Sequence, residues 1–226
     1  VNAADSLKQK AAVAALAYVP ESGVVGLGTG STARFFIEEI ARLVRAGRQL
    51  RGVATSEQSR TQALQQGIPL LADDEPWDIA VCVDGADEVS ADFDLIKGGG
   101  AAHTREKIVN RHSRLNVIVV DDSKLSHKLG EKWPVPLEVL PFGLGSTLRL
   151  LSDLGVPTVR HKAGQPVLTD SGNRVVDLAA GVIERPRDLD QALRSVPGVV
   201  ETGLFCGRAD VVLVGGPAGV RTLQRA

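Results

Sequence analysis

The sequence predicts an α/β protein: a parallel sheet covered by helices, interrupted late in the chain by a smaller α+β unit. Three observations carry that reading. Short apolar runs such as Val24-Val25, Ile79–Val83 and Asn116–Val120 alternate with stretches of helical periodicity, and strands that are apolar throughout belong to sheets buried on both faces. Each glycine-rich or charged cluster falls at or just past the end of such a run. The pattern then changes near Trp133-Pro134-Val135-Pro136, beyond which strands and helices follow in mixed order.

Taken in order, Leu7, Ala11, Ala14, Ala15 and Tyr18 recur at helical spacing over 5–19, with Asp5 or Ser6 as the candidate cap. Gly23–Leu27 reads as a buried strand ending in the turn Gly28-Thr29-Gly30-Ser31-Thr32. The helix after it places Phe35, Phe36, Ile40, Leu43 and Val44 on one stripe. Leu50–Thr55 is an expected strand and Ser56–Gln66 a helix ended by Gly67. Ile68–Leu71 and Ile79–Val83 are further expected strands, the latter running into Asp84-Gly85-Ala86-Asp87-Glu88. A helix over 102–111 and a strand over 116–120 follow the glycines at 98–100.

The later region reads as strand, helix (146–154), strand (156–161), a hairpin turning at Thr169–Asn173 into Val175–Leu178, helix (189–195) and strand (199–205). That mixture points to a ferredoxin-like α+β unit. The final stretch, a strand over 209–215 and a helix over 218–224, is expected to rejoin the first sheet. The expected domains are therefore 1–130 with 207–226, and an insertion at 131–206.

The whole chain narrows the function classes. Among its 226 residues the formal net charge is −1 and aromatics make up 4%. That is neither a polyanion-binding surface nor a set of stacking platforms, so no nucleic-acid partner is expected. A small phosphorylated ligand needs only a few local donors. Cys82 and Cys206 lie far apart in apolar stretches and read as buried free thiols. The start, Val1–Asp5, has no basic segment followed by an apolar core, and no run approaches the ~20 apolar residues of a membrane helix. A soluble cytosolic protein with no membrane partner is expected. The sequence holds no methionine, even at its start, so the native N-terminus is expected to be trimmed or incomplete.

Four clusters carry candidate chemistry. In Gly28–Thr32, glycines let the backbone approach an anion closely, and the amides opening the following helix, with the hydroxyls, would hold a phosphate. No Gly-Lys-Ser/Thr closes a Walker loop, and the dinucleotide pattern is met only in part, by Gly26 and Gly28 with Ser31 at the third place. A tight capped turn is the alternative. In Val83–Glu88, three carboxylates in five residues repel if packed together. They would ligate a hard metal, cap a helix, hold sugar hydroxyls or form a solvated turn. The third cluster, Ile96-Lys97-Gly98-Gly99-Gly100-Ala101-Ala102-His103-Thr104-Arg105-Glu106, sets a cation and a carboxylate around three glycines. Lys97 and Glu106 are each unremarkable alone. With the acidic turn they supply a base and electrophiles, as proton abstraction next to a carbonyl requires. The fourth is Asp121-Asp122-Ser123-Lys124, where Lys124 would contact a phosphate or a hydroxyl, or lie on the surface. His103, His112, His127 and His161 form no metal-ligand pattern, so no metal is expected, and no Gly-x-Ser-x-Gly elbow stands out.

In this order the segments Gly26–Thr32, Val83–Glu88, Ile96–Ala102 with Thr104–Lys107, and Asp122-Ser123-Lys124, together with Pro197–Val200, Gly203-Leu204-Phe205 and Arg208-Ala209-Asp210, resemble the ribose-5-phosphate isomerase A family. The resemblance spans essentially the whole chain, and the second and third segments are its specific part. It implies a Rossmann-like parallel sheet with an inserted α+β domain, and a homo-oligomer, commonly a dimer and sometimes a tetramer. It also implies interconversion of D-ribose 5-phosphate and D-ribulose 5-phosphate in the non-oxidative pentose phosphate pathway, without cofactor. By that resemblance Glu106 is the base that moves a proton from C2 to C1 through an enediolate. Asp84 and Lys97 handle the O1/O2 protons and the enediolate charge, and Asp87 serves the sugar and ring opening. Thr29, Gly30, Ser31, Thr32, Asp84, Gly85, Ala86, Asp87, Lys97, Gly98, Gly99, Gly100 and Lys124 fall on substrate-contacting segments, and Lys8 is placed to reach the phosphate. Relatives often carry more serines than Ala54–Ser59 does. A sugar-phosphate sensor of transcription would carry a DNA-binding helix pair and a basic face, and neither is visible. An amino-sugar phosphate deaminase or a CoA transferase fits the acidic turn and the Lys-Gly-Gly-Gly run less well.

Overall fold

In the computed structural model, residues 3–225 are described, with side chains from Ser6 onward. Val1-Asn2, part of the start read for a leader, and the Asp5 side chain considered as a cap lie outside these. In chain order the elements are α1 (Ala3–Ala14), β1 (Ser22–Leu27), α2 (Ser31–Arg45), β2 (Gln49–Ala54), α3 (Glu57–Gln65), β3 (Ile79–Asp84), β4 (Glu88–Val89), β5 (Leu95–Ile96), α4 (His103–Arg111) and β6 (Asn116–Asp121). Then come β7 (Val135–Val139), α5 (Leu144–Leu151), β8 (Val156–Val159), β9 (His161–Lys162), β10 (Gln165–Pro166), β11 (Arg174–Ala179), α6 (Pro186–Arg194), β12 (Val199–Thr202), β13 (Leu204–Phe205), β14 (Val211–Gly216) and β15 (Gly219–Gln224). Among the described residues no helix is long and apolar enough to cross a membrane.

The chain forms two compact units. The first runs to Gly85, resumes at Arg105–Ser123 and again from Arg208. Its sheet has the order β15-β14-β6-β3-β1-β2, parallel except for the edge strand β15. Alternate strand residues serve opposite faces. Val25, Leu27, Val81, Val83, Val117, Val119, Val211 and Leu213 pack with Ala11, Ala12 and Ala15 of the N-terminal helical segment and with Phe35, Phe36, Ile37 and Ile40 of α2. The other face presents Val24, Ile79 and Cys82 to Val109 of α4. Gly26 is required there: a Cβ would come within 2.8 Å of Cys82 Cβ and 2.9 Å of Val109 Cγ1, so its absence lets α4 lie directly on the strands. α3 starts at Ser56, whose Oγ accepts the Ser59 N–H at 3.1 Å, an ordinary N-cap.

The second unit comprises Ala86–Thr104 and Lys124–Gly207. Its four-stranded antiparallel sheet has the order β12-β7-β11-β8. With α5 and α6 the chain order is βαββαβ, the ferredoxin-like arrangement. Leu137, Val139, Val176, Leu178, Leu151 and Leu193 form its core. A second sheet, β13-β5-β4, pairs Leu95 and Ile96 with Phe205 and Leu204. Through that pairing 86–104 falls in this unit, whereas the sequence reading put it in the first.

Three expected elements differ. Ile68–Leu71 makes only a single bridge from Leu70 to Gly52, because Pro69 has no N–H to extend a ladder. The expected strand 199–205 is two strands in different sheets. Between them Gly203 donates to the Pro136 carbonyl at 2.6 Å and accepts from Lys97 N–H at 2.9 Å. The expected helix at 218–224 is β15. It pairs back along β14 after a turn at Gly219, φ +121°, and the β-branched Val220 and Thr222 suit an edge strand. Cys82 is buried as expected, Cys206 only half-buried, and neither is in a disulfide.

Candidate active site

In the first unit β1 leads through α2 to β2 on one side, while β3 lies on the other side of β1. The strand order reverses there, and open α/β sheets hold ligands beyond the carboxyl ends of the two strands at such a point. Those ends are Leu27, followed by the glycine-rich turn, and Asp84. The turn is built against the carboxylate. Gly28 N–H donates to the Val83 carbonyl at 3.0 Å. Asp84 Oδ1 accepts the Thr29 N–H at 2.9 Å and the Gly85 N–H at 2.8 Å. Asp84 is 4% exposed, and only glycine fits at 28, where a Cβ would come within 2.6 Å of Asp84 Cα.

The Thr29 hydroxyl is anchored from below, lying 2.7 Å from Thr55 Oγ1 and donating to Ser56 Oγ at 2.8 Å. Ser59 Oγ donates to the Gly28 carbonyl at 2.6 Å and Thr55 Oγ1 to the Leu27 carbonyl at 3.1 Å. These hydroxyls from the β2–α3 junction fix the turn, a role the sequence reading missed. The one signal for them was the serine preceding a helix. Gly30, at φ +104° and ψ −177°, then delivers the chain into α2 with no side chain capping it. The first amides of any helix lack intrahelical acceptors, and Gly30 and Ser31 are exposed while Thr32 is half-buried, so this end can receive an anion. Lys8 lies half-buried on α1.

Glu106 sits on α4 and is 4% exposed. That helix is held at both ends within the first unit. Arg105 Nη1 donates to Glu57 Oε1 at 2.7 Å, which holds the Glu57 carboxyl below its ordinary range. Arg208 Nε and Nη2 donate to Asn110 Oδ1 at 2.9 Å and to the Asn110 carbonyl at 2.8 Å, while Asn110 Nδ2 returns a bond to the Arg208 carbonyl. Burial lowers the Arg208 pKa from its ordinary value.

In the second unit the other carboxylates of the acidic turn have separate amide partners. Asp87 Oδ2 accepts the Gly99 N–H at 2.6 Å. Glu88 is fully buried and accepts from Gly130 and Lys132 N–H at 2.9 and 3.1 Å. Backbone donors relieve the repulsion that the sequence suggests. Gly85, Ala86 and Asp87 are half-buried. Lys97, 3% exposed, holds Nζ 5.6 Å from the Phe205 ring centroid, a favourable cation–π placement. After it Gly98 is buried, and Gly99 and Gly100 are exposed. His103 is buried, its Nδ1 standing where a Cβ on Gly98 would come within 2.7 Å. Thr104 donates to Glu138, which also accepts from Thr169 and Asn173. Lys124 Nζ lies 4.8 Å from the Trp133 ring centroid, and in the first unit its neighbour Asp122 pairs with Arg221. Among the described residues no three His, Cys, Asp or Glu side chains are grouped to hold a metal ion.

Comparison with known proteins meets these segments again. The family model described as Ribose 5-phosphate isomerase A (phosphoriboisomerase A) matches residues 51–219. Ribose-5-phosphate isomerase A of Methanothermobacter thermautotrophicus is 45% identical, covering 97% of this chain and 98% of its own. That of Thermosynechococcus vestitus is 47% identical, over 95% and 93%. The ribose 5-phosphate isomerase A structure from Methanocaldococcus jannaschii superposes with a TM-score of 0.92 at 41% identity, over 97% of this chain and 99% of that one. A D-ribose-5-phosphate isomerase solved in complex with phospho-erythronic acid gives 0.94 at 37% identity, over 98% and 99%. With identity at this level along nearly its whole length, the chain belongs to the ribose-5-phosphate isomerase A family.

Proposed function

We propose that this chain interconverts D-ribose 5-phosphate and D-ribulose 5-phosphate by proton transfer, with Glu106 as the base. In the open-chain aldose the C2 proton is acidified by the C1 carbonyl. Glu106 removes it, the charge spreads onto O1 of the enediolate, and the carboxylic acid so formed returns the proton to C1. Asp84 and Lys97 move the proton between O1 and O2 and stabilise the oxyanion, and Asp87 assists ring opening. The turn at Thr29–Thr32, the loop at Gly98–Gly100 and Lys124 hold the substrate. Such chemistry needs a positioned base and oxyanion stabilisation and no redox group.

One observation carries the reading. The strand-order reversal between β1 and β3 bears the glycine turn and Asp84 at its carboxyl end, in a chain whose relatives are isomerases of this sugar phosphate. The ligand on the related structure, phospho-erythronic acid, supports it, since a planar carboxylate on a phosphorylated sugar chain has the charge and shape of an enediolate. The test is incubation with ribose 5-phosphate in deuterated water, followed by NMR. Ribulose 5-phosphate is expected, with deuterium at C1 in those turnovers where the Glu106 carboxyl exchanges its proton with solvent before returning it, and absence of the ketose would refute the reading.

The working form in this reading is a cytosolic homodimer. Support comes from exposed apolar side chains on the second unit, Phe142 at 92% with Leu140, Val156 and Val182, since such surface often marks an interface. A monomer at micromolar concentration in sedimentation equilibrium would contradict it.

A further inference from the structure

The loop after Lys97 has little in its own sequence to hold its shape. Three successive glycines leave the backbone wide freedom, and Gly98 sits at φ +114°. Alanine would stiffen the chain, but there is no room for it. A Cβ on Gly98 would press on His103 and Pro136, and one on Gly99 on the Asp87 carboxylate. Inside the loop the Gly98 carbonyl takes a turn bond from the Ala101 N–H at 3.0 Å, which leaves the Gly99 carbonyl and N–H to be held from outside.

Arg160, more than sixty residues further along, supplies that hold on the carbonyl side. Its Nη1 donates to the Gly98 carbonyl at 2.7 Å and to the Gly99 carbonyl at 3.1 Å. A trans peptide turns its C=O and N–H to opposite sides. The plane joining Gly98 and Gly99 is therefore gripped at both edges, its carbonyl by Arg160 and its N–H by Asp87. The next plane follows the same rule: the Gly99 carbonyl faces Arg160, which turns the Gly100 N–H to the side away from it. Arg160 is itself locked. Its Nε donates to Asp177 Oδ2 at 2.8 Å and its Nη2 donates to Asp177 Oδ1, a two-pronged pair whose side chains are only 17% and 23% exposed. Asp177 lies on β11, an inner strand paired on both sides. Two soft glycine planes are thereby referenced to a rigid sheet through a bidentate ion pair, the geometry arginine serves best.

We propose that the Arg160–Asp177 pair is a positioning device for the isomerisation. Through the two carbonyls it holds the Gly100 amide, the Gly99 amide that fixes Asp87, and Lys97 just beyond β5, in the arrangement in which Gly100, Asp87 and Lys97 meet the sugar phosphate. The inference rests on the isomerase reading above. Arg160 touches no substrate; it acts through the loop.

The test is Arg160→Met, which keeps the apolar stem and removes every donor. Turnover is expected to fall on the order of 10- to 10²-fold, the loss that follows when a reacting group drifts by about 1 Å, with a smaller change in KM. Amide hydrogen exchange over 97–102 is expected to quicken while that of β7 and β11 stays as in the parent. Arg160→Lys, which can still reach one carbonyl, is expected to recover part of the turnover. Parental turnover in Arg160→Met would overturn the proposal, as would lost turnover without faster exchange at 97–102, or a loss confined to KM. If circular dichroism shows that Arg160→Met does not fold, Asp177→Asn takes its place with the same expectations. A parent that fails to isomerise ribose 5-phosphate would sink the isomerase reading itself, whereas the exchange comparison still decides whether the clamp exists.

Discussion

Replacing Gly28 by alanine tests how tightly the turn is built on Asp84. The added Cβ would stand 2.6 Å from Asp84 Cα, against a carbon–carbon optimum of about 3.5 Å, so the two strand ends must part by about 1 Å. The obstacle is backbone, not the tip of a flexible side chain, and both Thr29 and Gly85 amides are bonded to the same carboxylate. Overpacking of this kind costs about 1–3 kcal/mol. At ~2–4 °C per kcal/mol for a chain of this size, the melting midpoint is expected to drop by roughly 2–12 °C. Turnover is expected to fall on the order of 10²-fold, because the displaced group is the one assigned to O1/O2. Gly145→Ala is the control. Gly145 lies in the first turn of α5 with nothing within 4 Å of its Cβ position, so the same substitution there is expected to stabilise by about 0.5–1 kcal/mol. Calorimetry and steady-state kinetics on both variants measure this. A Gly28→Ala protein with parental midpoint and turnover would refute the close-approach argument.

Glu106→Gln is expected to lower turnover by about 10²–10⁴-fold with substrate still bound, measured by kinetics alongside calorimetric binding; parental turnover would remove Glu106 as the base. Glu57 is held below its ordinary value of 4.5 chiefly by its hydrogen bond to Arg105. A depressed carboxyl stabilises the fold above its unfolded pKa and loses that contribution as pH falls through the folded one. The stability gap between parent and Glu57→Gln is thus expected to be under about 1 kcal/mol at pH 7, because the pair is exposed and screened, and to vanish as pH drops below 4.5; denaturant titrations at several pH values check it. Arg208→Met leaves the buried Asn110 Oδ1 without the donor it has in Arg208 Nε and is expected to cost about 1–3 kcal/mol, read from the same titrations. Exhaustive chelation is expected to leave turnover unchanged, and a loss restored by a divalent ion would contradict that.

The local signals in the chain were enough for β1, β3, β6 and α2, because an apolar run or a stripe such as Phe35, Phe36 and Ile40 needs no distant partner to be recognised. The candidate site segments Gly28–Thr32, Asp84–Glu88 and Lys97–Gly100 stand out as motifs for the same reason, each being compact in sequence. Local signals failed where the partner decides. Val220 and Thr222 became an edge strand only because β14 offered its free side, and Leu204-Phe205 left β12 because β5 was there to receive it.

What the amino-acid sequence determined by itself was the family, the fold class and the short motifs, each written in neighbouring residues. Only the tertiary structure decided how those motifs are held: Thr29 on hydroxyls from the β2–α3 junction, Asn110 by Arg208, 98 positions away, and the glycine loop by Arg160, 62 positions away. A hydrogen bond is satisfied by proximity in space, and no spacing along the chain encodes a meeting that the packing of the sheets brings about.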